Sequence, residues 1–162
     1  LPLEAIMYLR TRRALILGAL TAALLVTGAS QAAAGTGAPT AKRPPVTTAQ
    51  SPLGPILVDA KGRTVYVFMA DSPGTSTCTG QCLDYWPAVV APAKLPAPAS
   101  GVTGKLGSIT RDDGTRQLTI NGWPLYTYAG DTKAGMTSGQ GSSGSGAKWW
   151  VVSPAGKKIT KS

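Results

Sequence analysis

The chain has 162 residues, with 16 lysines and arginines against seven acids, two cysteines and no histidine. A formal charge of +9 suits anionic partners, but the basic residues are scattered, and no arginine–aromatic interleaving of the kind that reads nucleic acid occurs. Without histidine, the commonest general base, the usual triads and a completed cysteine-based zinc set are excluded.

In chain order, the first element is an address. Arg10, Arg12 and Arg13 form a positive segment, Ala14 to Val26 an apolar run of thirteen residues, and Ala32-Ala33-Ala34 an A-x-A cleavage site. Thirteen residues fall short of the ~20 needed to cross a bilayer, so 1–34 is read as a cleavable signal peptide. Met7 is read as the start, and Arg12-Arg13 as part of an ordinary secretory n-region rather than a twin-arginine signal. No cysteine lies near the cleavage region, so there is no lipobox. Residues 35–52, rich in Ala, Pro and Thr, hold too little apolar surface to offset their ordering entropy and are expected to be a disordered linker. The thirteen basic and six acidic residues from position 35 onward leave the exported part at +7.

Residues 53–160 are expected to form one all-β antiparallel domain of two related hairpin units, about 53–90 and 105–156. Ile56-Leu57-Val58 leads into the turn Asp59-Ala60-Lys61-Gly62. Thr64 to Met69 follows, apolar on both faces and therefore a central strand. Pro-rich 91–100 separates the units. Ile109-Thr110 and Gln117 to Ile120 flank a second turn at Arg111-Asp112-Asp113-Gly114, and Asn121-Gly122 is a strong hairpin signal before the strand Leu125 to Tyr128. Gly- and Ser-rich 137–147 is expected to be a mobile loop. Trp149 to Val152 and Ile159 then flank a last hairpin turn at 154–157. No apolar run recurs at helical spacing after Val26.

One pattern occurs twice, sixty positions apart. Tyr66-Val67-Phe68-Met69-Ala70-Asp71 returns as Tyr126-Thr127-Tyr128-Ala129-Gly130-Asp131, giving Tyr-x-aromatic-x-x-Asp both times. With Gly62-Arg63-Thr64-Val65 before the first copy, Cys78-x-x-x-Cys82 and Trp86-Pro87 after it, Gly122-x-Pro124-Leu125 before the second and Trp149 closing it, residues 54–156 resemble a bacterial family. That family is the secreted repeat of unknown function, whose members are predicted lipoproteins. The resemblance implies a small exported module and brings no established activity. It associates some relatives with alkane breakdown.

The candidate sites follow from these motifs. Asp71 and Asp131 each open a Gly-containing loop, where an aspartate accepts backbone N–H bonds and closes a turn. The alternative is a carboxylate pair beside Tyr66 and Tyr126 that binds a cation or works as a hydrolase. Cys78 and Cys82 are expected to form a structural disulfide in an oxidising compartment. It would stabilise by about 2 kcal/mol and pin one loop. Trp86, Trp123, Trp149 and Trp150 either fill a thin core or present a ligand platform to a glycan or an apolar ligand such as a hydrocarbon. The favoured function is an exported envelope or secreted module, structural or ligand-binding rather than catalytic. No cofactor and no nucleic acid are expected; anionic wall polymer or a membrane surface is the candidate partner.

Overall fold

The computed structural model describes residues 43–161. The signal segment 1–34 and the start of the linker, as far as residue 42, lie outside the described residues. Among the described residues no helix is long and apolar enough to cross a membrane.

The elements are β1 (Val46–Ser51), β2 (Gly54–Asp59), β3 (Tyr66–Phe68), a short helix α1 (Gln81–Tyr85), β4 (Leu106–Thr110), β5 (Arg116–Ile120), β6 (Trp123–Pro124) and β7 (Trp149–Val151). All strand pairs are antiparallel: β1 with β2, β3 with β7, and β5 with both β4 and β6. Asn121 and Gly122 adopt φ of 51° and 84°, the left-handed pair that a two-residue hairpin demands, and Ile120 pairs with Trp123 across it. At the preceding turn the Asp113 carboxylate accepts the Thr115 N–H, which holds its pKa below the usual carboxylate range.

Two features depart from expectation. The expected linker 35–52 is strand β1 over Val46–Ser51. The buried strand β2 supplies the partner, so β1 needs only β-branched residues and one buried anchor, Val46, to hold its register. The five residues of α1 escape a periodicity search because they make little more than one turn. They follow Gly80, and the Cys78–Cys82 disulfide ties the helix to the loop before it.

Strand alternation divides the core in two. Along β3 and the residue before it, Val65 and Val67 face an aliphatic cluster with Leu57, Leu118, Leu125 and Val152. Tyr66 and Phe68 face an aromatic cluster with Trp86, Tyr126, Trp149, Ile56 and Val151. Both faces of β3 are thus buried, as a central strand requires.

The two related units are present, and they interlock. In the first, Val65 donates its N–H to Leu57; in the second, Leu125 donates to Leu118. The strand that should complete each unit comes from the other. Val152 bridges Leu57 and Val65 through its O and N, while Val89 bridges Leu118 and Leu125 in the same way. At the centre, Tyr66 and Tyr126 exchange both backbone hydrogen bonds, at 2.8 and 3.0 Å. These paired relations have the form of a pseudo-two-fold axis between the two tyrosines.

Candidate functional site

The doubled motif meets at this centre. Tyr66 Oη donates to Asp131 Oδ2 at 2.6 Å, and Tyr126 Oη donates to Asp71 Oδ2 at 2.6 Å. Each tyrosine therefore bonds the aspartate of the opposite copy, not its own. The second oxygen of each carboxylate closes its own loop. Asp71 Oδ1 accepts the Thr77 N–H at 2.7 Å and its hydroxyl at 2.9 Å, and Asp131 Oδ1 accepts the Ser138 N–H at 2.9 Å. The hydroxyls are braced in turn. Tyr66 Oη accepts the Gly139 N–H at 3.3 Å, and Tyr126 Oη lies 2.7 Å from Ser76 Oγ, which Arg111 Nη1 contacts at 2.7 Å. All four side chains are buried, with Asp71 at 5% and Asp131 at 3% exposure.

Such a clasp joins charge to burial. Two carboxylates taken from water are tolerable only if their oxygens are bonded, and here every oxygen has a donor. Burial first, then the bonded Asp131 carboxylate, pushes the Tyr66 hydroxyl well above its usual pKa; burial and Asp71 do the same to Tyr126. The sign of the consequence is fixed. The unfolded chain releases both protons near pH ~10 while the folded chain keeps them, so stability is full below that pH and falls above it. The slope should approach about 2.7 kcal/mol per pH unit for the two protons together. Urea unfolding between about pH 9 and 11 checks this, because Tyr66→Phe/Tyr126→Phe should remove most of the decline seen in the parent chain. An unchanged slope in that variant would refute it.

The other motif aromatics build a column beside the clasp. Phe68 stacks on Trp149 with centroids 4.2 Å apart, Trp149 on Trp86 at 3.9 Å and 1°, and Trp86 on Tyr128 at 4.4 Å. Tyr66 meets Trp86 edge-on, and Tyr126 meets Trp149 the same way, at 5.4 and 5.1 Å. The edge-on contacts stay within a copy, each motif tyrosine packing on the tryptophan at the end of its own copy, whereas the stacked contacts cross copies, Phe68 on Trp149 and Tyr128 on Trp86.

The structure thus assigns different places to the candidate residues. Cys78 and Cys82 form the disulfide. Trp86 and Trp149 lie in the buried column, while Trp123 and Trp150 are half-buried against the aliphatic cluster. The four tryptophans therefore do not share one exposed platform, because alternation along β7 sends Trp149 and Trp150 to opposite faces. Residues 137–147 are also not the free loop their composition suggests. Ser138 and Gly139 donate to the clasp, Gly141 and Ser142 bond the Trp149 backbone, and Gly144 O accepts the Trp149 indole N–H at 2.7 Å. Glycine is needed there for close approach: a Cβ on Gly139 would lie 2.7 Å from the Trp86 ring.

Two surface clefts, of about 540 and 350 Å³, flank α1, and neither is lined by Asp71 or Asp131. Sequence reading singles out several of the lining residues (Cys82, Trp86, Tyr128 and the Arg111-Asp112-Asp113 turn) but not the clefts, because the fold brings them together from distant positions. Among the described residues no three of His, Cys, Asp or Glu gather as a metal would require.

A family model described as a secreted repeat of unknown function matches residues 47–90 and 107–153. No curated protein and no solved structure matches the chain. Each matched segment carries one motif tyrosine, its aspartate and its closing tryptophan, and the first also takes in all but one residue of β1. The units that exchange strands are therefore the units the family model recognises, and the chain belongs to the family of secreted repeats of unknown function, in two copies.

Proposed function

We propose that the chain is an exported, non-catalytic module that binds or spaces components outside the cell. The observation that carries this reading is the reciprocal clasp: the motif carboxylates and hydroxyls are consumed by each other and by loop backbone. A carboxylate-pair hydrolase needs one carboxyl free to give or take a proton at a substrate, and a cation site needs free lone pairs facing one point. With both motif aspartates spent on folding, the duplication serves architecture. The charge of +7 from position 35 onward is the means by which such a module would gather at anionic wall polymer or lipid headgroups.

The test is thermal unfolding with and without Ca²⁺. Asp71→Asn and Asp131→Asn are each expected to lower Tm, by the loss of about 1–2 kcal/mol, while Ca²⁺ leaves the parent Tm unchanged. A Ca²⁺-dependent rise in the parent that both variants abolish would contradict the reading and favour a cation site.

A further inference from the structure

The aromatic column is closed at one end and open at the other. Phe68 is 3% exposed, whereas its counterpart Tyr128 is half-buried and lines the cleft of about 350 Å³. Trp86, Tyr85, Gln81, Ser142 and Ser145 share that lining. The volume lies near the lower bound of small-ligand sites, ~300–1,000 Å³. Tyr85 is 55% exposed, and α1, which carries Gln81 and Tyr85, is anchored by the disulfide. The aromatic wall is therefore set in place before any ligand arrives.

Several polar groups of the cleft are unspent: Gln81 and Ser145 make no side-chain hydrogen bond among the described residues, and Ser142 Oγ, which accepts the Gly144 N–H, still has its own hydrogen to donate. The Trp149 indole N–H is taken by Gly144 O, but its counterpart on Trp86 has no acceptor among the described residues and is not sealed from solvent. Gly144, also in the lining, leaves that nitrogen uncovered; a Cβ there would stand 3.3 Å from it. No charged side chain lines the cleft, although the chain as a whole is strongly basic.

We propose that this cleft binds a neutral glycan, with the C–H face of one pyranose ring on Tyr85 and the outer face of Tyr128, while buried Trp86 presents only its N–H edge. The ring hydroxyls bond the Trp86 N–H, Gln81 and the two serines. A sugar ring has an apolar face and a polar edge, which is the division the cleft presents. A hydrocarbon would bury Gln81, the serines and the indole N–H without partners, and an anionic ligand would meet no cation. The inference rests on the non-catalytic binding reading above and names its ligand class.

The secreted chain, labelled with ¹⁵N, is titrated with maltotetraose, cellotetraose, chitotetraose and mannotetraose, and separately with dodecane, while the indole N–H resonances are followed. At least one saccharide is expected to shift the Trp86 resonance saturably. Tyr85→Ala should weaken that binding about tenfold, the loss of one aromatic contact, with Tm nearly unchanged because the side chain is exposed. Gly144→Ala, which covers the indole nitrogen, should weaken it too. A Trp86 resonance indifferent to all four saccharides, an affinity untouched by Tyr85→Ala, or a response to dodecane alone would overturn the proposal. Those results would leave the non-catalytic reading standing. Cleavage of a saccharide, seen by mass spectrometry of the same samples, would contradict that reading and leave binding in place.

Discussion

Trp149→Ala is expected to be the most damaging single substitution in the described chain, at about 5 kcal/mol and a fall in Tm of about 20 °C. Truncating a buried tryptophan costs ~3–5 kcal/mol through lost transfer energy and the cavity left behind. Trp149 belongs at the top of that range. It is fully buried, touches Phe68, Trp86 and Tyr126 in three favourable ring geometries, and its N–H is held by Gly144. Its removal also leaves the Gly144 carbonyl and the Gly-rich loop without their anchor. Because domains of this size are stable by only ~5–15 kcal/mol, part of the population should be unfolded at 25 °C. Trp149→Phe keeps a stacked ring and should recover roughly half of the loss. Calorimetric scans of these variants give the check, and a cost below about 1 kcal/mol for the alanine variant would mean that the column is not a principal source of stability.

Asp131→Ala should cost about 3–4 kcal/mol, and Asp71→Ala a similar amount. The reason is the asymmetry between a hydrogen bond and an orphaned donor. Each substitution removes a charge-assisted bond from a buried tyrosine and strands a backbone N–H, Ser138 in one case and Thr77 in the other; Asp131→Ala also leaves the Tyr66 hydroxyl without an acceptor, and Asp71→Ala leaves the Thr77 hydroxyl without one while Tyr126 keeps Ser76 Oγ. Tyr66→Phe and Tyr126→Phe leave Oδ2 of the opposite carboxylate without its donor, and Tyr66→Phe also orphans the Gly139 N–H, but the Oδ1 loop bonds remain, so each should cost about 2 kcal/mol. Urea unfolding reads the ranking directly. Alanine variants as stable as the parent would show that the carboxylates are not needed for the fold and would reopen a functional role for them.

Much of the local structure was legible in the residues. Asn121-Gly122 demands positive φ twice, and the chain turns there. The Thr64 to Met69 segment is apolar on both faces because β3 has a core on each side. Pairing was less legible. The motif shows that a tyrosine and an aspartate recur together, but which tyrosine meets which aspartate is set by strand exchange across more than fifty residues, and no local signal encodes that. Glycine in 137–147 reads as freedom by composition, yet Gly139 is there because only hydrogen fits against Trp86. Val46–Ser51 reads as linker because an edge strand borrows its order from its neighbour. The cleft at the open end of the column is invisible for a similar reason: Tyr85 and Tyr128 are brought together by the fold, from positions in different copies.

The duplicated motif acts across the copies, and a double-mutant cycle isolates that property. Tyr66→Phe is combined with Asp131→Ala in one cycle and with Asp71→Ala in the other, and stability is measured by urea unfolding. A coupling of about 1–3 kcal/mol is predicted for Tyr66 with Asp131, and less than about 0.5 kcal/mol for Tyr66 with Asp71, its neighbour in sequence. Strong coupling inside one motif copy with none between copies would contradict the interlocked architecture.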